Sequence, residues 1–172
     1  MKNQQSLRPG DLVVALQLSL TPDAPLAAVA ADSYRSIGEV HNAVRRLRGA
    51  RLVDPSTRRV EREPLLQFIR SGVPFSFPAT VGSGTVGVAT AVHVGPAGSA
   101  EPASAEFVWP RSSGQSRGQS LVPLHPRVSE LAETNRDLRA LLSLVDLVRV
   151  GGVRERAAAV AELERLMGGG VR

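Results

Sequence analysis

The stretch SIGEVHNAVRRLRGARLV, residues 36–53, has the pattern of one amphipathic helix with a defined start. Ser36 followed by Glu39 is a capping box, in which the serine oxygen accepts a free helix N–H and the glutamate accepts the N–H of the cap residue. Aliphatic residues then recur at spacings of three, four and three, which predicts a core-facing stripe of Ile37, Val40, Val44 and Leu47. The opposite face carries Arg35, Gly38, Glu39, Asn42, Arg45, Arg46 and Gly49.

The positive charge of the chain is concentrated in the same region. Residues 35–70 hold nine arginines against four acidic residues, and the resulting +5 equals the net charge of the whole chain. A local basic excess indicates a polyanionic partner more strongly than a uniformly basic chain would. The alternative is an ordinary solvated face, because most charged helix faces contact only water.

Two shorter helices are predicted before residue 36, and a hairpin and a further helix after it. Pro9 and Asp11 suit the first turn of a helix that ends before Thr21, and its apolar face is Leu12, Val13, Leu16 and Leu20. The segment PLAAVAA, residues 25–31, predicts a short helix that buries Leu26, Val29 and Ala30. The turn DPST and the following RRVER predict a small hairpin over residues 54–62, and residues 63–72 predict the next helix.

This order of elements resembles the winged helix-turn-helix fold of bacterial transcriptional regulators, broadly of the MarR-like kind. The resemblance covers residues 7–72 and is carried by PLAAVAADSYRSIGEVHNAVRRLRGARLV and the basic hairpin DPSTRRVER. It implies that the helix after Ser36 enters the DNA major groove, while the hairpin, as a basic wing, lies on the backbone or the minor groove.

The side chains on these elements have the chemistry to bind DNA. Arginine pairs with guanine edges and asparagine with adenine, so Asn42, Arg45 and Arg46 are candidates for base contacts. The hairpin arginines would neutralise phosphates, and the helix N-terminus at Ser36 could hold another. His41 is expected to be packed or half exposed rather than to contact a base. The predicted DNA-binding set is Arg35, Ser36, Asn42, Arg45, Arg46, Arg58, Arg59 and Arg62.

Two features differ from the MarR-like pattern. Residues 73–126 are rich in Gly, Pro and Ser and lack the long dimerisation helix that is common in that family, so the mode of pairing stays open. Gly38 stands where many members carry a side chain that contacts DNA.

The middle segment, residues 73–126, predicts short strands and loops. Strands are expected at residues 75–77, 86–94, 106–109 and 120–124, and loops at 95–104 and 110–120. GSGTVG at residues 82–87 fits G-x-G-x-x-G, but a β-branched run follows it instead of a helix, so we predict a flexible turn and no dinucleotide site. Phe107 and Trp109 share one face and form either a small core or a surface for a partner peptide.

The last segment, residues 127–172, predicts two helices. A cap is expected at residues 134–137, and the two apolar stripes are Leu138, Leu141, Leu142, Val145 and Val148, and then Val153, Ala157, Val160, Leu163 and Met167. These stripes could pack on the rest of the chain, pair two copies, or bind another protein as in an antitoxin that also represses its own operon.

Several classes of function lack support in the sequence. The chain has no cysteine and three scattered histidines, so neither a metal site nor a disulfide is expected. No nucleophile elbow or paired carboxylate cluster is present, which argues against an enzyme or a cofactor. LVVALQLSL faintly imitates a secretory signal, but Pro9, Gly10 and Asp11 stand where its apolar region should begin. No apolar run approaches the roughly 18 residues of a membrane span, so a soluble protein is expected, and the absence of cysteine suits a reducing cytoplasm.

The sequence therefore predicts a mainly α protein with small β elements. A winged helix-turn-helix domain at residues 1–72 is followed by a β-containing segment at 73–126 and a helical region for dimerisation or partner binding at 127–172. The expected function is sequence-specific binding of double-stranded DNA by a homodimeric, non-enzymatic transcriptional regulator, with a recognition helix at residues 36–48. The alternative is a protein-interaction module or antitoxin that binds a partner protein through its C-terminal half.

Overall fold

The computed structural model describes residues 5–91 and 104–168. The described residues form eight helices and a three-stranded sheet. The helices are α1 (Pro9–Leu20), α2 (Leu26–Asp32), α3 (Ile37–Gly49), α4 (Arg62–Ser71), α5 (Val73–Ser76), α6 (Val128–Thr134), α7 (Arg136–Val150) and α8 (Val153–Gly168), and the strands are β1 (Val81–Thr90), β2 (Ser104–Pro110) and β3 (Ser116–Leu121). More of the described residues lie in helices than in strands, so the prediction of a fold that combines helices with a smaller amount of β structure is confirmed.

The chain divides into two compact units between Leu65 and Leu66. The first unit ends seven residues before the predicted boundary at residue 72. The two later segments that the sequence separates, residues 73–126 and 127–172, belong to one unit because α6 and α7 pack on the strands.

Three helices form the framework of the first unit, with α3 packed on both α1 and α2. The predicted buried residues of α2 are confirmed, since Leu26, Val29 and Ala30 are all buried. In α1 the predicted single apolar face is too narrow, because every residue from Asp11 to Leu18 is buried. A helix that is apolar around its circumference lies inside a protein rather than at its surface.

The predicted start of α3 is confirmed. The Glu39 amide donates to Ser36 Oγ at 3.2 Å, and the Ser36 amide donates to Glu39 Oε2 at 2.8 Å, which completes the capping box. The stripe is confirmed for Val40, Val44 and Leu47 but is wrong for Ile37, whose side chain is 50 % exposed. The buried arc is centred nearer to Ala43, which is fully buried, so Ile37 falls at its margin.

The predicted hairpin is present as a single β-bridge between Val53 and Val60. Asp54 forms its turn by accepting the amides of Ser56 at 2.9 Å and Thr57 at 2.6 Å on one carboxylate oxygen. The hydroxyl of Ser56, followed by the amide and hydroxyl of Thr57, lowers the pKa of the Asp54 carboxyl. The hairpin is thus held by its turn and by backbone hydrogen bonds between its arms, from the Asp54 amide to the Arg59 carbonyl at 2.8 Å and from the Glu61 amide to the Leu52 carbonyl at 2.9 Å.

The three strands of the second unit close into a small barrel. β1 pairs antiparallel with both β2 and β3, while β2 and β3 run parallel. The prediction of a turn at residues 82–87 is wrong, because all six residues belong to β1. Glycine allows the strands to approach: a Cβ on Gly87 would lie 2.1 Å from the Trp109 carbonyl oxygen, and one on Gly118 would lie 2.4 Å from that of Ala105.

The other predictions for the middle segment have mixed outcomes. The strand at 106–109 is confirmed within β2, and the strand at 75–77 is wrong because α5 occupies it. The strand at 86–94 begins earlier, at Val81, and its residues 92–94 lie outside the described part of the chain, as do residues 95–103 of the predicted loop. β3 covers residues 116–121, so the predicted strand at 120–124 is shifted and the second half of the loop at 110–120 is wrong.

The C-terminal helices pack inside the second unit. The stripe of α7 is confirmed in full, and Asn135 caps this helix by accepting the Leu138 amide at 2.9 Å. In α8 the stripe is only partly right, because Val160 and Leu163 are buried whereas Val153 is 87 % exposed. α6 was not predicted. Within the described residues, every helix is too short or too polar to cross a lipid bilayer.

A buried polar network ties β1, β2 and α7 together. Asp146 accepts hydrogen bonds from Thr90 Oγ1 at 2.8 Å and Trp109 Nε1 at 2.7 Å, and pairs with Arg149 at 2.7 Å. The Arg149 guanidinium also donates to three backbone carbonyls, those of Phe77, Pro78 and Val122. Trp109 is 1 % exposed, so of the two alternatives for this residue the small core is the one observed.

Substituting Asp146 with alanine should strongly destabilise the second unit, because Arg149 would stay buried without its counter-ion. We expect the free energy of unfolding to fall by about 3 kcal/mol, measured by chemical denaturation. The control is Arg165→Ala, which breaks an exposed Arg–Glu pair of the same i,i+3 spacing on α8 and should change stability little. Equal effects of the two variants would contradict the role given to the network.

Candidate nucleic-acid interface

The arginines of α3 face two different directions. Arg46 points towards α1, where its Nε and Nη2 donate to the two carboxylate oxygens of Asp11, each at 2.7 Å. The Asp11 side chain is 1 % exposed, and it also accepts the Arg8 amide at 2.8 Å. The hydrogen bonds to Asp11 raise the pKa of Arg46. Arg46 therefore connects α3 to α1 and is not available to a ligand in this geometry.

Arg35 is held in a similar way at the start of α1. Its Nη2 donates to the Gly10 carbonyl oxygen at 3.0 Å, and burial lowers the pKa of its guanidinium. Two of the predicted DNA-binding residues, Arg35 and Arg46, are thus engaged with neighbouring residues of one helix. This arrangement gives both side chains a role in the packing of the first unit.

Four other polar residues of α3 line a groove. His41 and Asn42 are exposed on one turn and Arg45 on the next, and Arg48 is half-buried beside them. Arg58 reaches the same groove from the hairpin, with a backbone φ of 62° that is uncommon for a residue with a side chain. The groove has a volume of about 650 Å³ and is lined by Leu26, Ala27, Ile37, His41, Asn42, Val44, Arg45, Arg48 and Arg58.

The groove lining combines cationic and apolar side chains. Three guanidinium groups belong to its lining, and none of the described lining residues is acidic. Neither Arg45 nor Arg58 forms an ion pair with a carboxylate of the described residues. Unpaired arginines on a concave surface attract anions, and the fork of each guanidinium can donate two parallel hydrogen bonds.

The other predicted residues are placed less favourably for this groove. Arg59 pairs with Asp23 at 3.1 Å, although both side chains are well exposed, and Arg62 lies 4.0 Å from Glu63. Ser36 Oγ contacts Glu39 in the capping box, so a carboxylate already occupies the helix N-terminus where we expected a phosphate. Of the eight predicted residues, Asn42, Arg45 and Arg58 are those that line the groove.

Two residues of the groove were missed by the sequence prediction. His41, which was expected to be packed or half exposed, is exposed and belongs to the lining, as does Arg48, and neither residue is in the predicted set. Both lie between the buried stripe and the opposite pole of α3, where the periodicity alone does not decide exposure. The rotation of α3 about its own axis, with Arg46 paired to Asp11, directs both side chains to the groove.

Comparisons with family models, with curated proteins and with solved structures find no match to this chain. Among the described residues, no group of three or more His, Asp or Glu side chains is arranged to hold a metal ion.

Substitution of the neighbours Arg45 and Arg46 should change the stability of the protein by different amounts. Arg46→Ala removes the ion-pair partner of the buried Asp11, so we expect a loss of about 3 kcal/mol in the free energy of unfolding. Arg45→Ala removes an exposed side chain from a helix and should change stability by less than about 0.5 kcal/mol. Chemical denaturation of the two variants measures this difference. A larger loss in Arg45→Ala than in Arg46→Ala would contradict the division of roles.

Proposed function

We propose that this protein binds double-stranded DNA in a sequence-dependent manner and regulates transcription as a winged helix-turn-helix protein. The observation that carries the proposal is the groove of α3, where Asn42, Arg45 and Arg48 stand beside Arg58 of the hairpin without an acidic neighbour in the described lining. Asparagine and arginine are the side chains that pair bidentately with adenine and guanine edges. An α-helix also fits the roughly 12 Å width of the major groove.

In this proposal α3 enters the major groove, and the hairpin follows the DNA backbone. Asn42 and Arg45 on the outer face of α3 contact base edges, while Arg48 and Arg58 of the groove lining neutralise phosphates and fix the register. Arg35 and Arg46 act indirectly by holding α3 against α1. The protein performs no chemistry on DNA, and it acts by occluding a promoter or by recruiting other proteins to it.

We also propose that two copies of the chain bind two half-sites, because the subunits of a symmetric regulator contact half-sites that lie one helical turn apart. The apolar stripe of α7 is buried in its own unit, so the pairing surface has to lie elsewhere. A partner protein or toxin bound through the C-terminal half would have to contact a surface other than this stripe, and we propose DNA binding because the groove of α3 supports it.

Gly38 offers a substitution that separates DNA binding from folding. A Cβ at this position would meet nothing within 4 Å, and the residue lies in the first turn of α3 on its outer face. Replacing this glycine with glutamate should raise or maintain stability, since glycine costs a helix about 1 kcal/mol and an acidic side chain suits a helix N-terminus. The new carboxylate would nevertheless face DNA phosphates and should weaken binding about tenfold, measured by fluorescence anisotropy with a labelled duplex.

The matched control is Gly38→Gln, which adds a side chain of the same size and shape without charge. It should bind DNA more tightly than Gly38→Glu, and the difference between them should shrink as salt is raised because exposed charges are screened. If both variants bound DNA equally at low salt, the outer face of α3 would not be the DNA-binding surface.

Arg45 and Arg58 should contribute to binding in different ways. Arg45→Ala should cost about 1 to 3 kcal/mol on the preferred sequence and much less on a scrambled duplex, because it removes a base contact. Arg58→Ala should weaken binding to both duplexes alike and reduce the slope of log K against log salt by about one. Titrations over a salt series measure both quantities. An equal loss of sequence preference in the two variants would contradict this division.

A further inference from the structure

We infer that Ile37 contacts the C5 methyl group of a thymine, so that thymine is the preferred base at one position of the DNA half-site. The inference rests on the proposed function and adds a specific base contact to it. Ile37 is an apolar side chain that lies in a charged groove and is not part of the core.

Ile37 is unusual among the apolar residues of α3. It is 50 % exposed, whereas Val40, Val44 and Leu47 of the same stripe are at most 2 % exposed. Among the described residues of the first unit, Tyr34 is the only other exposed large hydrophobic side chain. Exposure of a β-branched apolar side chain forgoes the favourable burial that its neighbours obtain. A ligand that covers Ile37 would recover this burial.

The position of Ile37 matches that of a base-contacting residue. It is the first residue of α3, and the N-terminal residues of a recognition helix are those that contact base edges in the major groove. The groove places His41 and Arg45 on the following turns of the same face. A helix that enters the major groove with Arg45 at a base edge therefore brings Ile37 to the edge of a nearby base pair.

The chemistry of the major groove leaves one apolar group for Ile37 to contact. Adenine, guanine and cytosine present hydrogen-bond donors and acceptors there, whereas thymine also presents a methyl group. Isoleucine cannot hydrogen-bond, so it favours thymine and penalises a base whose polar edge it would desolvate. A protein partner suits the site less well, since covering Ile37 would also desolvate the unpaired guanidinium of Arg45 nearby.

The test uses the duplex recovered by selection from a random-sequence library, synthesised either with thymine or with deoxyuridine in its place. The two duplexes differ only in the C5 methyl groups. Dissociation constants are measured by fluorescence anisotropy for the wild-type protein, for Ile37→Ser and for Val153→Ser, which removes an exposed apolar residue of α8. Thermal unfolding confirms that each variant is folded.

The wild-type protein should bind the thymine duplex about fourfold more tightly than the uracil duplex, as expected for burial of one methyl group. Ile37→Ser should bind the two duplexes equally, while Val153→Ser should retain the wild-type ratio. Equal affinity of the wild-type protein for the two duplexes, or a fourfold preference of Ile37→Ser for the thymine duplex, would overturn the thymine contact and leave the proposed function intact. If selection enriches no sequence, the proposed function fails and the thymine contact fails with it.

Discussion

The bidentate ion pair between Asp11 and Arg46 is the interaction on which the arrangement of the first unit depends. It joins the first turn of α1 to the last turn of α3 through two hydrogen bonds of 2.7 Å around a carboxylate that is 1 % exposed. Together with the buried side chains of Val40, Ala43, Val44 and Leu47, this pair holds one face of α3 towards the core. With Arg46 directed to α1, Arg45 is turned by about 100° towards solvent, and His41, Asn42 and Arg48 line the groove with it.

The second unit also contains a buried Asp–Arg ion pair, but here both residues belong to one helix. Asp146 and Arg149 are i,i+3 neighbours on α7, and their network connects this helix to β1 and β2 and to the chain on either side of the barrel. A buried ion pair adds little net stability compared with a well-packed apolar pair, but it is costly to break. In each unit the pair therefore excludes alternative packings, since a rotated or shifted helix would leave a charge buried without its partner.

Local signals in the sequence predicted the elements of the first unit. The capping box at Ser36 and Glu39, the spacing of Val40, Val44 and Leu47 and the turn at Asp54 each act within a few residues, so they are visible without the fold. The functions of the individual arginines were less predictable. Arg45 and Arg46 are adjacent and chemically identical, and what separates them is Asp11, a partner 35 positions away.

The β-containing part was harder to predict for the same reason. GSGTVG has the composition of a turn, but its last glycine, Gly87, is required because β1 lies against the Trp109 backbone in the closed sheet. That closure depends on pairing between residues such as Gly87 and Pro110 that are distant in the chain. The composition of the segment therefore does not indicate whether its glycines allow a bend or a close approach of strands.

The central claim is that the outer face of α3 recognises a DNA sequence, and selection from a random duplex library at near-physiological salt tests it most directly. The account predicts that the wild-type protein enriches one motif, bound roughly a thousandfold or more tightly than a scrambled duplex. It also predicts that the Gly38→Glu protein, although folded, binds this motif about tenfold more weakly than the wild-type protein does. Recovered sequences that remain random for the wild-type protein, or equal affinity of the two proteins for the motif, would contradict the account.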